Sequence, residues 1–298
     1  MRRKLIKQGG TGLTVYVPKK WIDLKGLQAG DEVEVNEEDE KIVISKAGET
    51  RVLRKEVFFE KHNRSLLRST IATLYKAGYD EIILKFKEMP SMSSMNDIIS
   101  TFTGLEVVSQ EKDSITIKCF LRTDDEETEK LINKMFQLTK LVVDEIKTNW
   151  DKADLDNLTT LVKTNVIKLR DHSLRMIHAS KYGGDKSYDY YDLVTVLEKM
   201  ADEFLTLAQN IQKNKPKDRS LVTPLSQLLE EGHRCFLKKE MESSQAYKLM
   251  LRKEAEKTIW PETISATAKK TDPLFFASFY HLMRLYTHLA SRLISLNS

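Results

Sequence analysis

Apolar residues follow two different rhythms along the chain, and the change from one to the other divides it. Near the start the period is two. Leu13, Val15 and Val17 alternate with Thr14 and Tyr16, which predicts a strand with one buried face. Pro18 stops that strand, because proline brings no N–H to a ladder. Arg3–Lys7 predicts a partner strand across a Gly9-Gly10-Thr11-Gly12 turn, and Lys19–Lys25 a helical turn ended by Gly26. Asp31–Val35 and Lys41–Ser45 predict two further strands joined by the polar turn Asn36–Glu40. Strands this short bury little apolar surface alone, so this first module is expected as an obligate dimer.

From residue 50 to 122 strand and helix patterns mix. Val52–Phe59 predicts a strand, Arg64–Ala77 a helix stopped at Gly78, and Glu81–Lys87 a strand in which Ile82, Leu84 and Phe86 share a face. Met89–Thr103 reads as irregular to helical, broken by Pro90. Leu105–Ser109 and Ser114–Leu121 read as a hairpin with Ile115, Ile117, Cys119 and Leu121 on one face. The expectation is a small α/β connector, open-faced like a ferredoxin-type sandwich, with Met89, Met92 and Met95 filling its core rather than forming a soft docking surface.

Beyond about residue 124 the period becomes helical. Leu131, Met135, Leu138 and Val142 mark one stripe. A second runs through Leu155, Leu158, Val162, Val166, Leu169, Ser173 and Met176, and a third through Leu193, Leu197, Met200, Phe204, Leu207 and Ile211. Leu282, Leu285, Leu289, Leu293 and Leu296 form the last, and weaker segments lie at 220–240 and 243–259. Six helices packed as an antiparallel bundle follow. Residues 197–205 align with 282–290, so helices 1–3 and 4–6 read as two copies of a three-helix unit. The fold class expected is therefore multidomain α+β: a β head at 1–48, an α/β connector at 49–122 and a helical bundle at 123–298.

Composition narrows the function classes. No stretch approaches the ~20 uncharged apolar residues of a membrane span, and no short apolar run near the start reads as a secretory signal. Cys119 and Cys235 are the only cysteines, which fits a reducing compartment and excludes a disulfide framework. A cytoplasmic protein without membrane insertion is expected. The formal net charge of +4 hides a sharp asymmetry. Residues 1–25 carry seven cations (Arg2, Arg3, Lys4, Lys7, Lys19, Lys20 and Lys25) against Asp23 alone. Residues 26–50 carry eight acids against Lys41 and Lys46. One module with a basic and an acidic end suits a phosphate backbone at the basic end.

The residues of that module resemble a known family. Arg3-Lys4-Leu5-Ile6-Lys7-Gln8-Gly9-Gly10, Leu13-Thr14-Val15-Tyr16-Val17-Pro18-Lys19-Lys20-Trp21 and Gly26-Leu27-Gln28-Ala29-Gly30-Asp31-Glu32-Val33-Glu34-Val35 look like an AbrB/SpoVT/MazE-type DNA-binding domain. The resemblance implies a swapped-hairpin β-barrel, formed by a homodimer that presents one basic face to DNA. Arg2, Arg3, Lys4, Lys7, Lys19, Lys20 and Lys25 are then the DNA-binding candidates, with Arg2 and Arg3 the better placed for base edges because a guanidinium grips guanine with two hydrogen bonds. Many bacterial members carry an Arg just after the glycine of the second strand. Here Gly12 is followed by Leu13 and Thr14, so operator specificity does not carry across.

The third stripe carries a second resemblance. Leu197-Glu198-Lys199-Met200-Ala201-Asp202, followed by Asn210-Ile211, resembles the PhoU family, and an AbrB-like head joined to a PhoU-like bundle resembles the archaeal phosphate uptake regulators. In PhoU-like proteins repeated E-x-x-x-D helices bind iron or zinc, which makes Glu198 and Asp202 the metal candidates here. The second copy has Met283 and Thr287 at the matching positions, and helix 2 adds only Asp171, His172 and His178 amid Arg170 and Arg175. The residues thus favour a degenerate site without metal. His233 beside Cys235 reads as helix surface and core, Tyr182–Tyr191 as an interhelical loop with tyrosines packed on the bundle, and Trp150, Trp260 and Phe275–Phe279 as core.

No catalytic constellation appears, so an enzyme is not expected. The leading expectation is a DNA-binding transcriptional regulator of phosphate uptake. The alternative is a PhoU-like adaptor that binds a phosphate transporter ATPase or a signalling protein, its head serving for dimerisation. An antitoxin-like head bound to a toxin comes third.

Overall fold

The computed structural model describes residues 3–7, 12–38, 41–46, 52–121, 125–216, 219, 222–239 and 272–298. They divide into two compact units, Met1–Val52 and Leu53–Ser298.

The first unit holds two antiparallel ribbons and a short helix. Strands β1 (Ile6–Lys7) and β2 (Leu13–Thr14) pair Ile6 with Thr14 and Lys7 with Leu13. Strands β3 (Val33–Glu38) and β4 (Lys41–Lys46) pair from Val33–Lys46 to Glu38–Lys41, so β3 runs three residues into the stretch expected as a turn. Helix α1 (Lys19–Lys25) starts after Pro18 and ends at Gly26, whose φ of +60° an L side chain rarely adopts. Gly26 N–H donates to Asp23 O and Leu27 N–H to Ile22 O, which satisfies two carbonyls of the last turn. Gln28 N–H then donates to the Asp31 carboxylate at 2.7 Å. The Gly-Leu-x-x-Gly-Asp motif is therefore a helix stop followed by a locked turn. Val15–Val17, expected to continue β2, has no strand partner within the described chain.

The second unit opens with a four-stranded mixed sheet. Strands β5 (Arg54–Phe59), β6 (Glu81–Phe86), β7 (Leu105–Gln110) and β8 (Ser114–Cys119) lie in the order β5-β6-β8-β7, with β5 and β6 parallel and the rest antiparallel. Helix α2 (Arg64–Lys76) makes the crossover that a parallel pair requires, and α3 (Met92–Ile99) joins β6 to β7. Asn63 and Ser91 cap these helices by accepting from Leu66 N–H and Ser94 N–H. The element order βαβαββ differs from that of the ferredoxin-type sandwich expected. Ile82, Leu84, Phe86, Ile115 and Ile117 form a core with Leu67, Ile71 and Tyr75 of α2 and Met95 of α3. Met89 and Met92 pack partly buried against it, so the methionines fill the core.

Five of the six expected helical stretches fall within the described residues: α4 (Asp125–Asn149), a long helix from Leu155 to Ser180, α7 (Ser187–Asn214), α8 (Val222–Lys238) and α9 (Pro273–Asn297). The sixth, 243–259, lies outside them, as does Trp260. The long helix consists of α5 (Leu155–Thr160), a π segment (Leu161–Val166) and α6 (Ile167–Ser180). Leu158, Val162 and Val166 are all buried. Two successive steps of four would drift about 40° each on an ideal α-helix, and the wider π turn removes that drift.

Helices α7 and α9 pack side by side. The aligned positions Leu197 and Leu282, Met200 and Leu285, Ala201 and Tyr286, Phe204 and Leu289, and Leu205 and Ala290 are all buried in one core. On α4 the buried face is Ile132, Met135, Phe136, Val142, Val143 and Ile146, while Leu131 and Leu138 are only half-buried. Trp150, Phe275 and Phe279 belong to the same core, and the Trp150 indole N–H donates to Pro216 O.

Tyr188–Tyr191 lie in the first turn of α7, which corrects their placement in a loop. The connection itself is a tight turn around Gly183 and Gly184. Gly183 has φ +82°, and a Cβ there would stand 2.5 Å from the Tyr190 ring, which is packed edge-on against Tyr182. Gly183→Ala is expected to lower the stability of the second unit by about 1–3 kcal/mol in urea unfolding.

Candidate nucleic-acid interface

Arg3, Lys4, Lys7, Lys19 and Lys20 are exposed, and Lys25 is half-buried at the end of α1. Arg2 lies outside the described residues. Arg3 and Lys4 precede the β1–β2 ribbon and Lys7 lies in it, opposite Leu13. Lys19 and Lys20 open α1, whose first turn contains no acid to offset them. Lys46 Nζ donates to the Lys25 carbonyl at 3.2 Å, which ties β4 to the end of the helix. At the other end of the sequence asymmetry, Asp31, Glu32 and Glu34 are exposed, while Asp39, Glu40 and Glu49 lie outside the described residues.

Among the described residues of this unit none is buried. Its apolar side chains stand in solvent: Leu5 at 64% exposure, Leu13 at 60%, Tyr16 at 67%, Val35 at 60% and Ile42 at 70%. Burying a Val, Leu or Ile contributes about 1.5–3 kcal/mol, so a single copy forgoes on the order of 10 kcal/mol over these and the neighbouring Ile6, Val15, Leu24, Val33 and Val43. A second copy would supply apolar surface of the same kind, and a two-fold assembly would also double the exposed cations on one particle.

The metal candidates sit elsewhere, in the second unit. Glu198 Oε1 is 3.0 Å from Arg170 Nη1, and Asp202 pairs with Lys163. Asp171 is fully buried and held by Arg170, with Arg68 Nη2 3.9 Å from its second oxygen. Among the described residues no three His, Cys, Asp or Glu side chains are grouped to hold a metal ion. Glu198 and Asp202 are thus each engaged by a cation of the chain. His178 is exposed.

His172 is buried without a hydrogen-bond partner for Nε2 among the described residues. Burial, reinforced by the Arg175 and Lys168 charges, pushes its pKa down from 6.5 to about 4. The unfolded chain therefore takes up this proton first as pH falls. The stabilisation is full above about pH 6.5 and is lost as pH drops towards 4, by about 2 kcal/mol at pH 5. Urea unfolding at pH 7.5 and pH 5 checks this, and His172→Leu should remove that part of the pH dependence.

Cys119 and Cys235 form no disulfide. Burial pushes both thiols up, away from nucleophilic character. His233 hydrogen-bonds Asn133 at 2.6 Å and stacks on Phe136, so it serves α4–α8 packing.

One polar junction escaped the sequence reading. Arg175, 3% exposed, donates from Nη1 to Tyr75 O and Tyr79 O at 3.1 and 2.8 Å, and from Nη2 to Asp80 Oδ1 at 2.7 Å. The other Asp80 oxygen accepts from Leu53 N–H at 2.9 Å, at the first residue of the second unit. The only signal for it is an arginine set between Leu174 and Met176.

Residues 6–51 match the family model described as "Antidote-toxin recognition MazE, bacterial antitoxin". The chain thus carries an N-terminal MazE/AbrB-type domain followed by a mixed sheet and a mostly helical region. No curated protein and no solved structure matches the chain. No helix among the described residues is long and apolar enough to cross a membrane.

Proposed function

We propose that this protein is a DNA-binding transcriptional regulator of phosphate uptake. Its head binds promoter DNA as a homodimer, and its helical region receives the signal. The carrying observation is the first unit itself: exposed cations and exposed apolar side chains on a MazE/AbrB-type segment in which none of the described residues is buried. A closed swapped-hairpin barrel formed by two copies would bury the apolar residues and leave Arg3, Lys4, Lys7, Lys19 and Lys20 facing phosphates. The link to phosphate rests on the PhoU resemblance around Glu198–Asp202, supported by the matched burial of the aligned positions on α7 and α9. The reading assigns no catalytic step and places the protein in the cytoplasm.

The test is binding of the full-length protein to a labelled fragment of its own upstream region across a salt series, with unrelated DNA as competitor. Affinity that survives competitor and falls steeply with salt supports the regulator. Binding no tighter than to random DNA rejects a sequence-specific regulator. Retention of a phosphate transporter ATPase would then support the adaptor, and retention of a toxin the antitoxin role named in the family description.

A further inference from the structure

Glu198 and Asp202 lie one turn apart on α7, and each already holds a cation that belongs to the chain. Arg170 is the centre of the arrangement. Its Nη1 stands 3.0 Å from Glu198 Oε1 on α7, its Nη2 stands 2.8 Å from Asp171 Oδ1 on α6, and its Nε donates to that same oxygen at 3.0 Å. Carboxylates from two helices therefore converge on one guanidinium, as they would on a bound ion. Lys163, seven residues earlier on the same long helix, pairs with Asp202. Arg68 of α2 stands 3.9 Å from the remaining oxygen of Asp171. Three carboxylates thus face three cations.

Two features make this arrangement hard for a metal to enter. The side chains of Arg170, Asp171 and Glu198 are 18%, 0% and 16% exposed, so water screens their charges weakly. A guanidinium is also permanently protonated, so Arg170 cannot yield its place by losing a proton. A divalent ion would have to displace it. On α9 the aligned positions offer no anionic donor, since Met283 is a buried thioether and the Thr287 hydroxyl donates to Met283 O at 3.2 Å.

We infer that the helical region uses its own side chains where a PhoU-like protein would use a metal. Arg170, bridging Asp171 to Glu198, and Lys163, on Asp202, form an internal cation clamp that ties the long helix to α7 and makes the region independent of divalent ions. The inference stands apart from what the head binds.

The experiment uses the full-length chain, stripped with chelator and then dialysed against Zn²⁺ or, under anaerobic conditions, Fe²⁺. Metal per chain is measured by elemental analysis, and the thermal midpoint is followed with and without EDTA. No stoichiometric ion and an EDTA-insensitive midpoint are expected. Arg170→Met, which frees Asp171 and Glu198 to share an incoming ion, is expected to bind Zn²⁺ at least about tenfold more tightly than the native chain. Adding Glu198→Gln should cancel that gain. One ion per native chain, lost in Glu198→Gln or Asp202→Asn, overturns the inference. So does a folded Arg170→Met chain whose Zn²⁺ affinity is unchanged. If Arg170→Met fails to fold, the metal content of the native chain decides alone.

Discussion

Replacing Arg3, Lys19 and Lys20 together with alanine is expected to weaken DNA binding more than about ten-thousandfold at about 0.1 M salt while leaving the protein a dimer. Each cation that neutralises a phosphate steepens the dependence of log K on log salt by about 0.9, so the six contacts that a dimer loses remove about 5.4 from the slope and roughly a factor of eight each from affinity. All three side chains are exposed, so their removal opens no cavity and strips no buried partner. Two readouts separate the causes. A fall in affinity with a flatter salt slope and unchanged sedimentation identifies phosphate contacts. An unchanged slope would show that these residues do not face DNA, and loss of the dimer would show that they serve the fold. Arg3→Lys alone is informative as well. It keeps the charge and loses the two-point grip on a guanine edge, so a drop confined to specific DNA would mark Arg3 as a base reader.

Arg175→Ala is expected to lower the stability of the second unit by about 1–3 kcal/mol in urea unfolding, since the arginine is buried while its partner Asp80 is a third exposed and is solvated once the pair is broken. The substitution removes the donor from the Tyr79 carbonyl and one Asp80 oxygen, while the Tyr75 carbonyl keeps its bond from Gly78 N–H. It also removes the cation stacked 5.2 Å from the Tyr75 ring centre. Arg175→Lys should recover little, because a single ammonium does not reproduce the forked geometry that reaches three acceptors. Asp80→Asn should cost less than Arg175→Ala, since the amide oxygen still accepts one hydrogen bond. A loss below about 1 kcal/mol for Arg175→Ala would mean that the sheet and the bundle are held by apolar packing alone.

Sequence periodicity recovered most elements because their burial is one-sided. Ile82, Leu84 and Phe86 on β6 and Ile115 and Ile117 on β8 face a single helical layer, so alternation gives both the strand and its face, although Ile83 on the opposite face of β6 is buried too. The α4 stripe was displaced by about one residue for the opposite reason. That helix packs against α6, α7 and α8, its buried face is wide, and Leu131 and Leu138 lie on its margin. Tyr188–Tyr191 read as loop because two glycines precede them and no capping residue marks the start of α7. The strand order of the sheet leaves no local trace, and neither does the Arg175–Asp80 pair, whose partners are 95 residues apart. For the candidate interface, residue type and motif order indicated the basic end. The exposure of Leu5, Tyr16 and Ile42 emerges only from the folded chain.

A head in which none of the described residues is buried also sets how occupancy responds to abundance. If the head is ordered only as a pair, then at low copy number the amount of competent protein rises with the square of the chain concentration. Halving expression would cut promoter occupancy about fourfold rather than twofold, and a modest rise in synthesis would restore it as steeply. A cell could thus obtain a threshold from dilution alone, with growth and division acting as inputs before any signal reaches the helices.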